Sequence, residues 1–212
     1  MLADIAAAHR QGRRLFVLTT NLDAQRPVLW NMGAIAASER PAALELFRKV
    51  LLASASVPGL FDPVFIDAEA NGSHFKEMHV DGGAFAQAFL YPAGLTRQRR
   101  VRMAGGQLVV PAIAYVIRNG RLDPEWASTE RSTMGIAARA IATMITASGI
   151  NDVVRIYNTT QRDGIGYNLA YIGSDFTQKL PEPFDQGYMR ALFDYGYQRA
   201  SRGYDWAQRP PF

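Results

Sequence analysis

The clearest chemical grouping in the chain is His79-Val80-Asp81-Gly82-Gly83. An aspartate at the end of a strand, followed by two glycines, is presented at a tight turn with little steric cover. Glycines there allow positive φ and let another backbone approach closely. A carboxylate so placed is suited to accept a proton. Asp81 is therefore the candidate catalytic residue, and Asp81, Gly82 and Gly83 are the candidate motif. Taken alone, Asp-Gly-Gly is also an ordinary turn, and its meaning depends on the surrounding sequence.

Other reactive side chains lie nearby. His74, Glu77, His79 and Asp81 match no helical ligand spacing such as His-Glu-x-x-His, so no metal site is expected. His79 and Asp81 are two residues apart and share a strand face, where a hydrogen bond between them is conceivable. Both His74 and His79 are expected to be structural or solvated. Ser54 and Ser56 have neither a strained strand-to-helix elbow nor a glycine-rich donor loop, and a nucleophile needs both. Asp62, before Pro63, reads as a turn residue. No cofactor is expected.

The elements that must position Asp81 follow from periodicity and punctuation. Ala3 to Gln11 reads as a helix stopped by Gly12. Leu15 to Thr20 is a continuous apolar run of the kind buried on both faces. Asn21 to Pro27 is a turn, and Val28 to Met32 a second strand. Pro41 sits in the first turn of a helix that carries Leu44, Phe47, Val50 and Leu51 on one face. That helix ends before Val57-Pro58-Gly59. Phe61 to Val80 reads as loop-rich, with a short strand at Val64-Phe65-Ile66 and another ending at Val80. Leu108 to Ile117 is a strand with Asn119-Gly120 as its turn. Thr129 to Ser148 is a helix, with Ile136, Ile141, Met144 and Ile145 along one side and Gly149 as its stop. Val153–Asn158 and Tyr167–Ile172 suggest a hairpin across Asp163-Gly164. Asp185 caps a last helix running to about Arg202, before Gly203. Alternating strands and helices, with one strand doubly buried, imply a layered α/β sandwich.

Composition narrows the function classes. Hydrophobic residues are 48% and charged residues 20% of 212, which argues for a globular chain with a sizeable core. The net charge of +4 is spread along the chain, except for Arg97, Arg99, Arg100 and Arg102. That run is read as a solvated loop, and a nucleic-acid partner is not expected. The absence of cysteine excludes disulfides and thiolate metal sites. No stretch approaches the roughly 20 apolar residues of a spanning helix. The N-terminus lacks the basic and apolar regions of a signal peptide. The three tryptophans, Trp30, Trp126 and Trp206, are expected to be core or interface residues.

Three ordered segments give Asp81 its context. They are Thr19 to Asn31, Ala53-Ser54-Ala55-Ser56-Val57-Pro58 with Phe61-Asp62-Pro63, and Val80-Asp81-Gly82-Gly83. In this order and spacing the chain resembles the C-terminal part of a patatin-like phospholipase, most closely over residues 10–92. Tyr188, Leu192, Phe193, Gly196 and Tyr197 resemble that family's closing helix. The resemblance implies one layered α/β/α sandwich of patatin type over residues 1–212, incomplete at its N-terminal side. It implies hydrolysis of lipid acyl esters by a Ser–Asp dyad, with Asp81 accepting the serine proton directly. The serine of that family lies in Gly-x-Ser-x-Gly, after a glycine-rich oxyanion loop.

None of the 18 glycines here begins Gly-x-Ser-x-Gly. Two readings follow. The chain is the aspartate-bearing portion of a lipid acyl hydrolase, inactive alone, or it is a non-catalytic remnant or interaction module. The expected partners are a lipid or acyl-ester substrate, a membrane surface, and either a second copy or an N-terminal half. In that half-domain reading, the strand Leu15–Thr20 lacks neighbours.

Overall fold

The computed structural model describes residues 1–212 except residues 92, 108, 109, 124, 125, 127 and 183 and the side chains of 93–96. The fold is mixed α/β, with sheets flanked by helices. The chain divides into two compact units, Met1–Gln87 and Ala88–Phe212.

The first unit contains α1 (Leu2–Arg10), β1 (Phe16–Asn21), β2 (Arg26–Asn31), α2 (Met32–Ala37), α3 (Ala43–Ala53), β3 (Val64–Ala70) and β4 (Ser73–Asp81). A single 3-10 turn, Gly82–Ala84, follows β4. The strands form one sheet in the order β2-β1-β4-β3, and all its pairs are antiparallel. The continuous apolar run thus forms an interior strand with a neighbour on each side, contrary to the expected loss of neighbours. Its burial is concentrated at one end. Thr19, Thr20 and Asn21 are all buried, whereas Leu15 is 45% exposed.

The segment read as loop-rich is mostly one long hairpin. Asn71 and Gly72 take φ of 53° and 76°, and Ala70 pairs with Ser73 across them. Two left-handed residues match the twist of the strands they join, which explains the Asn-Gly pair. A short helix, α2, was not expected. The Asn31 side chain accepts a hydrogen bond from the Ala34 amide at 3.0 Å and caps it. Met32, read as a strand end, instead begins this helix and is fully buried. The core joins Met32, Phe47, Val50 and Ala53 to Val64 and Ile66 of β3. The inward face of α3 is Ala43, Phe47, Val50 and Ala53. Leu44 and Leu51, expected on that face, are 38% and 43% exposed.

The second unit contains α4 (Ala93–Ala104), β5 (Ile113–Arg121), α5 (Thr133–Arg162), β6 (Gly166–Ile172) and α6 (Gln186–Ser201). The arginine run is helical, and Arg99 donates to the carbonyls of Asp163 at 2.8 Å and Val110 at 3.1 Å. Of the strand expected from Leu108, residues 108 and 109 lie outside the described residues. The strand runs on through Asn119-Gly120, where the register shifts instead of turning.

The helix expected to stop at Gly149 continues to Arg162. A Cβ at Gly149 would meet the guanidinium of Arg118, so this glycine makes room for a side chain and does not end the helix. Val153 and Ile156 are therefore core residues of α5 and not part of a hairpin. The strand β6 pairs with β5 in parallel, with α5 as the crossover. Gly164, at φ 61°, follows the end of that helix. The outer half of α5 leaves Met134, Ile136, Ile141 and Met144 between 57% and 79% exposed. By length and composition alone, α5 is apolar enough to cross a membrane, against the expectation that no segment is. Trp126 is 86% exposed and so is not a core residue. Trp206 packs edge-on against Tyr115, with centroids 5.0 Å apart. The last helix follows its expectation, with Asp185 accepting from the Tyr188 amide at 2.6 Å and Gly203 beyond its end.

In the core of the second unit the hydroxyl of Tyr167 is buried without a hydrogen-bond partner among the described residues. Burial, with a smaller effect of Tyr157, raises the Tyr167 pKa from 10.0 to about 12. An acid whose folded pKa is raised leaves stability unchanged below the unfolded value. Stability is then lost as the pH climbs toward the folded value. Tyr167→Phe is expected to leave stability at pH 7 unchanged, or raise it by up to about 1 kcal/mol. It should also lessen the decline between pH 10 and 12. Urea titrations at neutral and alkaline pH measure both, and a clear loss of stability at pH 7 would contradict this account.

Candidate functional site

Strand β4 carries His79, Val80 and Asp81 to the end of the sheet beside β1. The register places Thr19 opposite Asp81, Thr20 opposite Val80 and Asn21 opposite His79. Two interactions fix the backbone of Asp81. Its amide donates to the Ser56 carbonyl at 2.9 Å, and its carbonyl accepts from the Thr20 hydroxyl at 3.0 Å. The loop of the β1–β2 hairpin is tied to the same strand, because Asp23 accepts from the Met78 amide at 2.7 Å.

The Asp81 side chain is half-buried and folds over its own turn. Its Oδ1 accepts from the Gly83 amide at 2.6 Å, in the short range of charge-assisted bonds. This caps the 3-10 turn and fixes the orientation of the carboxylate. Among the described residues that amide is the only side-chain partner of Asp81, so Oδ2 is the oxygen left to take a proton.

Neither glycine of the motif has positive φ. The expectation of positive φ is thus wrong, but that of close approach is right. A Cβ on Gly82 would lie 2.5 Å from the Leu18 carbonyl oxygen and 2.8 Å from its carbon. Both are backbone atoms of an interior strand and cannot yield. A Cβ on Gly83 would lie 3.0 Å from Asp81 Oδ1, a contact that a side-chain shift relieves at the expense of the cap.

His79 does not bond to Asp81. It is fully buried, with Nδ1 2.9 Å from Thr19 Oγ1 and Nε2 3.1 Å from Glu77 Oε2. The Trp30 indole N–H donates to the same Thr19 oxygen at 2.8 Å, and its ring lies 5.7 Å from that of His79. One proton arrangement satisfies every atom. The indole donates to Thr19, Thr19 donates to Nδ1, and Nε2–H donates to Glu77. His79 is thus a structural residue beneath the turn, as expected, and Trp30 belongs to the same network. Thr19 and Thr20 are the positioning residues that sequence reasoning missed. Their signal was two adjacent hydroxyls at the end of an otherwise apolar strand.

The serines take structural roles. Ser54 and Ser56 donate to the carbonyls of Leu51 and Leu52 at 2.8 and 3.0 Å, closing the end of α3. The hydrogen bond between Ser56 and Asp81 is made by the Ser56 backbone carbonyl, while its hydroxyl is bonded to Leu52. His74 is exposed and lies 3.9 Å from Glu69. Among the described residues no group of acidic residues and histidines is arranged to hold a metal ion.

The two glycines separate by substitution. Gly82→Ala is expected to lower stability by about 1–3 kcal/mol, because the added methyl overlaps backbone. Gly83→Ala is expected to cost less than Gly82→Ala, since only the Asp81 side chain must move. Denaturant titration of the two variants tests this order, and equal or reversed effects would contradict it.

The sequence matches no protein-family model, and no curated protein matches it.

Proposed function

We propose that this chain is the aspartate-bearing portion of a patatin-like serine acyl hydrolase acting on lipid esters, within a layered α/β/α domain. One observation supports the reading above others: Asp81 sits at a strand end with one carboxylate oxygen bonded to the Gly83 amide and Gly82 packed on β1. In this reading Oδ2 takes the proton of a serine hydroxyl as the serine attacks the acyl carbon. It then delivers that proton to the departing alcohol, and repeats the transfer with water to release the acid. The serine and the oxyanion donors come from polypeptide that carries Gly-x-Ser-x-Gly, which this sequence does not contain. The substrate class fits the exposed apolar residues of α5, which are suited to a lipid surface or to a second protein chain.

The chain alone is expected to hydrolyse no short-chain nitrophenyl ester and to take up no fluorophosphonate probe. Paired with the serine-bearing half of a patatin-like enzyme, it should hydrolyse esters. Asp81→Asn should then lower kcat by at least about 10²–10⁴ with an unchanged circular dichroism spectrum. Labelling of a serine in the chain alone would overturn the reading, as would near wild-type kcat for a folded Asp81→Asn. Failure of every pairing would favour a non-catalytic interaction module.

A further inference from the structure

Between Asp81 and Asp123 the sequence contains no acidic residue, and six arginines fall in that interval. Four of them, Arg97, Arg99, Arg100 and Arg102, lie on α4. A helix holds its charges at fixed spacing, which a solvated loop does not. One arginine anchors the helix. Arg99 is half-buried, and its guanidinium donates to the carbonyls of Asp163, Val110 and Gly164 at 2.8, 3.1 and 3.5 Å. These acceptors are uncharged, so the anchor leaves the arginine charge uncancelled. The Asp163 carboxylate is fully buried and bonded to the Tyr91 hydroxyl at 2.6 Å and to Arg162 at 3.1 Å.

The other three are differently placed. Arg97, Arg100 and Arg102 are exposed, and among the described residues no hydrogen bond or ion pair holds them. Arg97, Arg100 and Val101 stand three and four residues apart, so they share one side of the helix. Val101 is 65% exposed, and Met103 is exposed as well. A nucleic acid and an anionic bilayer both attract such a helix. Binding of unpaired bases draws on aromatic side chains for stacking, and α4 has none. A bilayer surface uses both features that α4 does present. Its anionic head groups take the guanidiniums, and its acyl boundary takes apolar side chains set among them.

We propose that α4 docks this chain onto the surface of an anionic bilayer. Arg97, Arg100 and Arg102 contact the head groups, and Val101 enters between them. Arg99 is the positioning residue that holds the helix on its unit. The surface does not depend on the hydrolase reading.

Co-sedimentation of the full chain with vesicles tests this, using phosphatidylcholine alone and phosphatidylcholine with phosphatidylserine. The mixed vesicles are expected to bind at least about tenfold more tightly, since each basic residue near such a surface adds roughly a fivefold gain. Raising the salt from about 0.05 to 0.5 M should release the chain, because the charges are exposed. The triple variant Arg97→Gln/Arg100→Gln/Arg102→Gln should weaken binding at least about tenfold with an unchanged circular dichroism spectrum. Arg26→Gln/Arg40→Gln/Arg48→Gln removes the same charge from exposed positions elsewhere and should bind within about threefold of the unaltered chain. Equal binding to both vesicle types, binding indifferent to salt, or unaltered binding by the folded α4 variant would overturn the proposal. So would an equal loss in the second variant, which would show that net charge alone is read. Tighter binding of a single-stranded oligonucleotide than of the mixed vesicles would overturn it in favour of a nucleic-acid partner.

Discussion

The carbonyl oxygen of Leu18 lies so close to residue 82 that no side chain fits there. A Cβ at that point would stand 2.5 Å from the oxygen. The chain leaving β4 must therefore be glycine as it crosses the interior strand. The crossing brings the turn directly onto β1, within reach of the Thr20 hydroxyl and the Ser56 carbonyl. Asp81 is then oriented from several directions: by strand pairing, by a side chain, by a loop carbonyl and by its own cap. Beneath it, the buried chain from Trp30 through Thr19 and His79 to Glu77 fills a polar layer whose members are mutually satisfied. A fully satisfied network of this kind rigidifies what it supports.

The parts of this arrangement that were legible in the sequence are those governed by local chemistry. Asp185 capping α6, Gly203 ending it, and the turn between β1 and β2 each depend on a few neighbouring residues. The close backbone approach after Asp81 was also legible, though the expected positive φ was not found there, since the glycines answer a steric contact alone. What was not legible depended on distant partners. Gly149 looks like a helix stop until Arg118, from another element, is seen to occupy the space beside it. The same error produced the false hairpin, because Val153–Asn158 alternates well enough to pass for a strand. Its true periodicity is helical, with Val153 and Ile156 facing the core three residues apart. The Asn71-Gly72 turn was a local signal that went unread, and the long β3–β4 hairpin was missed with it.

The two units differ in how fully they cover their apolar surface. In Met1–Gln87 an antiparallel sheet packs on α2 and α3, and such a sheet tolerates one face in water. In Ala88–Phe212 the parallel pair β5–β6 leaves Ile113, Tyr115 and Ile117 at least 59% exposed, and α5 leaves its outer half uncovered. Parallel sheets ordinarily bury both faces. This unit is therefore the one that leaves more of its apolar surface uncovered.

The central claim is that the turn at Asp81 is already organised in the chain by itself. Amide hydrogen exchange at Gly83 measures this most directly, because that amide is held by the Asp81 carboxylate and by no backbone carbonyl. The account predicts exchange slowed well below the unprotected rate. In Asp81→Ala the Gly83 amide should exchange freely, while the amides of β1 keep their protection. Fast exchange at Gly83 in the unaltered chain, or protection that survives the substitution, would contradict it.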